Sequence, residues 1–394
     1  MSSIEAKKIV IAGGGPGGLT LARLLQMQGA DVSVYERDVD RTSRVQGSAL
    51  DLHTDSGLAA LKEAGLMDAF WTNHRPELNR LRLMNQDAEV LYDHSRNQDG
   101  MHRPEIERTP LRNLLLDSLA QGTVTWNRKL EGVAAAEHQV RLDFSDGKSV
   151  LADLVIGADG ANSRVRALLT PIKPIYAGVT LVEGVIPDAE IAVPEWWALL
   201  GGASLMGLGA HKTFGMSTKS DGSVLFYAGL QMPDDRARDL LAAATDAPER
   251  TAWFRTYFPE WSRAWEPLFG SATQLTWRPQ FVCPPDQHWD ATAHATLIGD
   301  AAHVMPPYAG EGVNMAMLDA LVLSRALGAE ADIRAAIYTY QEEMFARMRR
   351  TSGETMYNTE MFYALDADRQ IVALFKSFAS RPAAQEVQAS DLPD

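Results

Sequence analysis

An apolar strand that runs directly into "GGGPGG" leaves a chain few ways to fold. Ile9 to Ala12 are apolar, Gly13, Gly15 and Gly18 stand at GxGxxG spacing, and Leu19 to Gln28 have helical periodicity. A second short strand, "DVSVYE", ends at Glu36, eighteen residues past the third glycine. Strand, glycine turn, helix and strand make a βαβ unit. In such a unit the first glycine permits the tight turn, the second lets backbone approach a pyrophosphate, and the third lets helix and strand pack closely. A carboxylate ending the second strand accepts the ribose hydroxyls of an adenosine. Gly13, Gly15, Gly18 and Glu36 are therefore the expected dinucleotide contacts. The glycines alone leave NAD and FAD both open.

Further along, residues 55–70 and 109–121 have helical spacing, with Thr109 and Pro110 as the expected cap and first-turn pair of the second helix. Short alternating strands fill 123–152, and a buried strand then ends in "GADG". From about 174 to 282 the texture changes to Gly-rich alternating strands with most of the nine tryptophans. This reads as an inserted second domain dominated by a β-sheet. The expected organisation is an α/β protein with a Rossmann-like FAD- or NAD-type domain over 1–173 and 283–353, a substrate-binding β-sheet domain over 174–282, and a C-terminal bridging helix and tail over 354–394.

With 394 residues and 46% hydrophobic content, the chain can bury sizeable cores. A formal net charge of -14 argues against nucleic acid or an anionic membrane as partner. No stretch reaches the roughly 18 apolar residues of a membrane span. No leader-like segment precedes the first strand, so a cytoplasmic location is the expectation, with a monomer as the expected state. Cys283 is the one cysteine, expected as a small buried hydrophobe, and the nine histidines form no HxH or HExxH metal arrangement.

The segment "LIGDAAHVMPPYAGEGVNMAMLDA" (297–320) puts Asp300 at the end of an apolar strand, where burial without donors is costly and sugar hydroxyls would supply them. Pro306 and Pro307 stiffen the following loop, and Gly310 and Gly312 let backbone pass close to a flat ring. His303 is expected to be a packed strand-end residue rather than a catalytic one.

Together, the glycine loop, "LVIGADGANSRVR" (154–166) and this segment resemble the three fingerprints of class A flavoprotein monooxygenases, the group similar to para-hydroxybenzoate hydroxylase, in the family's order along the chain. "VSVYERDVDRTSRVQGSALDLHTDSG" and "PEIERTPLRNLLLDSL" look similar to the tetracycline-inactivating members. The resemblance implies FAD as cofactor in a GR2-type Rossmann-like domain. It places Asp300 on the ribityl chain, Pro307 and Gly310 beside the flavin, and the backbone N–H groups of Gly312, Val313 and Asn314 at the flavin pyrimidine oxygen. It also implies Glu36 and Arg37 at the adenosine end, Arg44 for NADPH, and Asp51 and Arg112 as FAD contacts. Asp159 and Gly160, with Ser163 and Arg166 completing the motif, would support the pyrophosphate region and NADPH use.

The implied reaction is reduction of FAD by NADPH or NADH, addition of dioxygen at flavin C4a, and oxygen transfer to an electron-rich aromatic, phenolic or polycyclic substrate with water kept out. No catalytic base is named, because the flavin carries the chemistry. Glu183 is the candidate for orienting substrate, and Tyr308, Met361 and Met206 are candidates for packing on it. Where the tetracycline enzymes carry an arginine and a histidine, this chain has Ser204 and Leu225. That loss of charge-assisted hydrogen bonds weakens the case for tetracycline within the substrate class. Trp196, Trp197, Phe214 and Phe226 point instead to a more apolar pocket. A reductase, dehydrogenase or halogenase on the same scaffold, or a flavoprotein that binds its ligand without turnover, remain alternatives; the halogenase motif WxWxIP is absent.

Overall fold

The computed structural model describes residues 4–43, 49–95, 103–232 and 235–379. Strand β1 (Lys8–Ala12) buries Ile9, Val10 and Ile11 completely, as a parallel strand covered on both faces does. Helix α1 (Pro16–Met27) opens with proline, whose missing N–H costs nothing in a first turn. Strand β2 (Asp31–Tyr35) follows. Residues 55–70 do not form one helix, because Gly65 at φ +70° ends Gly57–Glu63 and a second helix, Met67–Asn73, begins after it. Helix α2 (Arg108–Asp117) takes Glu107 as its N-cap, so Thr109 and Pro110 lie inside the first turn. Residues 130–152 form a three-stranded antiparallel sheet, and β3 (Leu154–Gly157) returns to the core.

The chain then lays down β4 (Ile175–Ile186), β5 (Ser204–Gly209), β6 (Lys212–Thr218), β7 (Val224–Leu230) and β8 (Gln274–Val282). It comes back through β9 (Ala295–Leu297), the one-turn α3 (Asp300–His303) and α4 (Gly312–Ala329). The long α5 (Ile333–Phe362) and the shorter α6 (Ala367–Ala379) finish it. Helix α5 runs unbroken through residues 353 and 354, where the sequence suggested a division.

Two sheets organise the molecule. The first has the order β9-β3-β1-β2, with Val124–Thr125 at its edge, and every pairing is parallel. Parallel strands put all their carboxyl ends on one edge, which is where open α/β sheets bind ligands. The glycine loop after β1, the GADG turn after β3 and the Gly299–Asp300 turn after β9 all leave there. The second sheet has the order β8-β4-β7-β6-β5, continued by Arg80–Asn85 and Val90–Ser95. Those last two strands come from outside the 174–282 segment.

Side chains alternate across this second sheet. One face carries Val182, Phe214, Met216, Phe226 and Ala228 beneath the helices Pro194–Leu200, Ala247–Tyr257 and Glu266–Ser271, whose aromatic rings fill the layer. Glu183, Thr213, Gly215, Tyr227 and Gly229 occupy the opposite face.

Candidate active site

The glycine loop is built against its neighbour. Gly13 has φ +110°, and a Cβ there would lie 2.2 Å from the Ala158 carbonyl oxygen of the GADG turn. A Cβ on Gly18 would lie 2.2 Å from the Gly13 carbonyl oxygen, so the third glycine lets the helix close on the turn. A Cβ on Gly15 would meet nothing within 4 Å. The loop is thus tight at its base and open at its tip. Glu36 is buried, and its carboxylate accepts the Gly14 N–H at 2.6 Å and the Asp38 N–H at 3.0 Å. Each oxygen keeps acceptor capacity for a ligand.

Arg112 is only 4% exposed. Its Nη2 lies 2.9 Å from Asp38 Oδ2 and its guanidinium 5.2 Å from the Trp126 ring centroid, yet the alignment with Asp38 is poor. Among the described residues its Nε, Nη1 and Nη2 have no hydrogen-bond partner. Buried charged donors left unmet are expensive, so this side chain is shaped for an acceptor that the protein itself does not provide. Arg37 is exposed at the end of β2, and Arg44 lies outside the described residues.

Asp159 organises its own turn. Its carboxylate accepts Ser163 Oγ at 2.5 Å and the N–H groups of Arg164 and Val165 at 2.6 and 3.3 Å; burial raises its pKa against these bonds. Gly160, at φ +79°, turns the chain beside it. Arg166 donates to the carbonyls of Ile172, Ala301 and Ala302 and to Gln287, lashing the turn to α3.

Asp300 is the first residue of α3, with Gly299 at φ +59° before it. The side chain is solvent-accessible, yet the protein around it desolvates the carboxyl and raises its pKa, with His303 and Arg108 pulling it down. Both hold together when a group lines a cleft rather than standing on a convex surface. His303 is packed as expected, on α3 rather than at a strand end, with Nε2 2.6 Å from Asp319 Oδ2.

Asp319 was not singled out from the sequence. It is fully buried, and it also accepts the Gly299 N–H at 2.8 Å and Arg347 Nη2 at 2.6 Å. Burial alone would raise its pKa; the His303 and Arg347 charges and the Gly299 N–H hold it below the ordinary value. The signal was present as an acidic residue in the otherwise apolar stripe of α4.

At the start of α4, Gly310 and Gly312 are open or nearly so: a Cβ on Gly310 would sit 3.5 Å from Asp51 Oδ1, and one on Gly312 would meet nothing within 4 Å. Pro307 begins the short turn before them. The Asn314 side chain accepts the His53 N–H at 2.9 Å and donates to the Asp51 carbonyl at 2.9 Å, which pins residues 51–53 to the helix start. Its side chain is therefore structural, and Val313 is half-buried beside it. His53, also not foreseen, sits between two carboxylates, with Nε2 3.2 Å from Asp51 and Nδ1 3.3 Å from Glu311. Burial depresses its pKa, but the two carboxylates outweigh this and bring it to about 9.

On the second sheet the structure corrects part of the expected pocket. Phe214 and Phe226 are fully buried and stack on each other at 5.2 Å on the face covered by helices. Trp196 and Trp197 join the same layer. These rings cannot line a pocket because the protein's own helices occupy the space above them. Glu183 does lie on the open face, but Arg278 already grips it with two bonds of 2.9 and 2.6 Å. Met206 and Met361 pack on one cluster with Leu83, Leu208 and Ile371. The Tyr308 hydroxyl bonds that of Tyr363, which also accepts from Thr213 Oγ1 at 3.4 Å; burial raises the Tyr308 pKa to about 12. Ser204 is half-buried and Leu225 2% exposed. Cys283 is buried, as expected.

Three glycine-bearing turns leave the same edge of one parallel sheet, where open α/β folds bind nucleotide cofactors. The sequence matches the FAD binding domain family over residues 6–184 and 293–353, more than half of its length, and the protein belongs to that family. It is an FAD-dependent monooxygenase of the class A type. A 3-amino-4-hydroxybenzoate 2-monooxygenase of Streptomyces cremeus is 30% identical over 333 residues, 82% of this chain and 79% of that protein. HpxO of Klebsiella pneumoniae, solved with FAD and uric acid, shares the fold with a TM-score of 0.76 at 22% identity, covering 96% of this chain and 94% of that one. The tetracycline destructase Tet(51) shares it with a TM-score of 0.71 at 19% identity, covering 96% and 100%.

Proposed function

We propose that the protein hydroxylates a planar aromatic or phenolic small molecule, with NADPH or NADH as electron donor and dioxygen as oxidant. FAD supplies the redox chemistry and the activation of oxygen. The chain's residues bind, orient and enclose. The open tip of the glycine loop at Gly15 and the unmet donors of Arg112 take the pyrophosphate and adenosine side, with Glu36 on the ribose. Asp300 accepts from the ribityl hydroxyls. The first N–H groups of α4, at Gly312 and Val313, present a positive helix end to the flavin pyrimidine edge.

The observation that carries this reading is the contact between the loop before α4 and the open face of the second sheet. Tyr308, in that loop, bonds the Tyr363 hydroxyl, which accepts from Thr213 on β6. The expected flavin turn and the sheet therefore approach each other, and substrate is proposed to lie between them. The relative from Streptomyces cremeus is named for an aminohydroxybenzoate, and HpxO was solved with uric acid; both are flat and electron-rich. Tetracyclines stay inside the class, although Ser204 and Leu225 offer no charge to them.

The test is NADPH and NADH oxidation by the purified flavoprotein, aerobic and anaerobic, with simple phenols, 3-amino-4-hydroxybenzoate, uric acid and tetracycline. A product heavier by one oxygen atom supports the proposal. Substrate-stimulated oxidation of the donor that consumes no oxygen would make the enzyme a reductase.

A further inference from the structure

Strand register draws one continuous row across the open face of the second sheet. Thr276 lies opposite Glu183, Glu183 opposite Tyr227, Tyr227 opposite Gly215, Gly215 opposite Met206, and Met206 opposite Leu83. Its chemistry changes along its length. At one end Arg278 holds Glu183 in a two-bond fork, and Tyr227 stands directly opposite Glu183 in the register. At the other end Met206 and Leu83 belong to an apolar cluster that also takes in Met361. Gly215 stands where polar gives way to apolar.

Two glycines on this face are in opposite situations. A Cβ on Gly229 would lie 2.1 Å from Tyr363 Oη, so that glycine exists to admit the tyrosine. A Cβ on Gly215 would meet no heavy atom within 4 Å. Its neighbours along the same face of β6, Thr213 and Ser217, are each 6% exposed. The gap is therefore about one residue long and closed at both ends. Nor does the backbone demand glycine, because Gly215 is not among the positive-φ positions. A larger side chain fits the conformation and the immediate space, so what its absence preserves is room for something else.

We propose that Gly215 is the specificity-determining position of the substrate cleft. The space above it admits the edge of a flat one- or two-ring molecule, whose hydroxyl or amino edge faces Tyr227 and whose apolar edge faces Met206. The Tyr227 hydroxyl can donate to the polar edge of the substrate or accept from it. Glu183, already held by Arg278, flanks it across the strand pair. This inference rests on the reading of the protein as an aromatic hydroxylase.

The experiment titrates the FAD-loaded enzyme with 3-amino-4-hydroxybenzoate and with uric acid, one ring and two, and follows the flavin absorbance difference spectrum. Gly215→Leu should weaken binding of either probe by about tenfold or more, and Gly215→Ala should weaken uric acid more than the single ring, because added bulk competes for the same space. FAD per chain and melting temperature should match the unmodified enzyme. If Gly215→Leu fails to fold, the single methyl of Gly215→Ala decides. Equal affinities in parent and variants would overturn the assignment, and so would a parent enzyme that binds neither probe. Binding that is lost in the variants, without oxygen consumption by the parent, would sink the proposed hydroxylation of these probes and leave Gly215 in place.

Discussion

His53 owes its charge to two neighbours. Both ring nitrogens face carboxylate oxygens, and only the imidazolium can donate to both. Its pKa, raised from 6.5 to about 9, makes the contribution to stability fully present below pH 6.5, declining above it and lost as pH rises through 9. Asp51 and Glu311 are 24% and 26% exposed, so water screens part of the attraction and about 1–2 kcal/mol is the expected size. Melting temperatures of parent and His53→Gln from pH 6 to 10 should therefore converge as pH rises. A gap that stays constant would show that His53 is not held as a cation. Asp300 makes a separate prediction. Asp300→Ala removes the acceptor for ribityl hydroxyls, and FAD should dissociate about tenfold to a hundredfold more readily, as the loss of a charged hydrogen bond implies. Flavin release measured by fluorescence checks it; unchanged retention would move the ribityl chain elsewhere.

At the scale of elements, the flavin site depends on how closely α1 and α4 cross. A Cβ on Gly17 would lie 2.9 Å from the Ala316 carbonyl oxygen, a backbone atom that cannot swing aside. Gly17→Val should push the helices apart and cost about 1–3 kcal/mol, read as a lower denaturation midpoint together with weaker FAD binding. Asp319 does for α3 what Gly17 does for α1. Its carboxylate holds the Gly299 N–H before Asp300 and the His303 ring after it, while Arg347 reaches in from α5. Removing Arg347 leaves the buried Asp319 with only the His303 ring and the Gly299 N–H, so Arg347→Met should cost about 2–3 kcal/mol. The paired change Arg347→Met with Asp319→Asn should recover part of that loss, and thermal unfolding of the three variants tests the coupling.

The whole molecule was legible in its motifs and less so in its faces. Glycine spacing, the GADG turn and the Gly-Asp turn all identify strand ends, because each marks a backbone conformation or close approach that other residues resist. Alternation on β6 and β7 likewise separates two faces. It does not say which face the chain will cover, and so Phe214 and Phe226 were assigned to a pocket while helices distant in sequence claimed them. Asp319 is less legible for a related reason: its partners lie on other elements, a distance that short-range patterns cannot span, and His53 owes half of its setting to the equally distant Glu311. Tyr363 is of the same kind, and it joins three parts of the fold. Its hydroxyl at the end of α5 meets Tyr308 in the flavin loop and Thr213 on β6, and its ring fills the place kept by Gly229 on β7. Tyr363→Phe keeps the ring and strands the buried Tyr308 hydroxyl, at an expected cost of about 1–3 kcal/mol. Changing both tyrosines to phenylalanine removes donor and acceptor together, and so should cost less than the sum of the single changes. Chemical denaturation of the FAD-loaded enzyme measures the difference; strict additivity would mean that the two hydroxyls do not hold the C-terminal helix to the flavin loop.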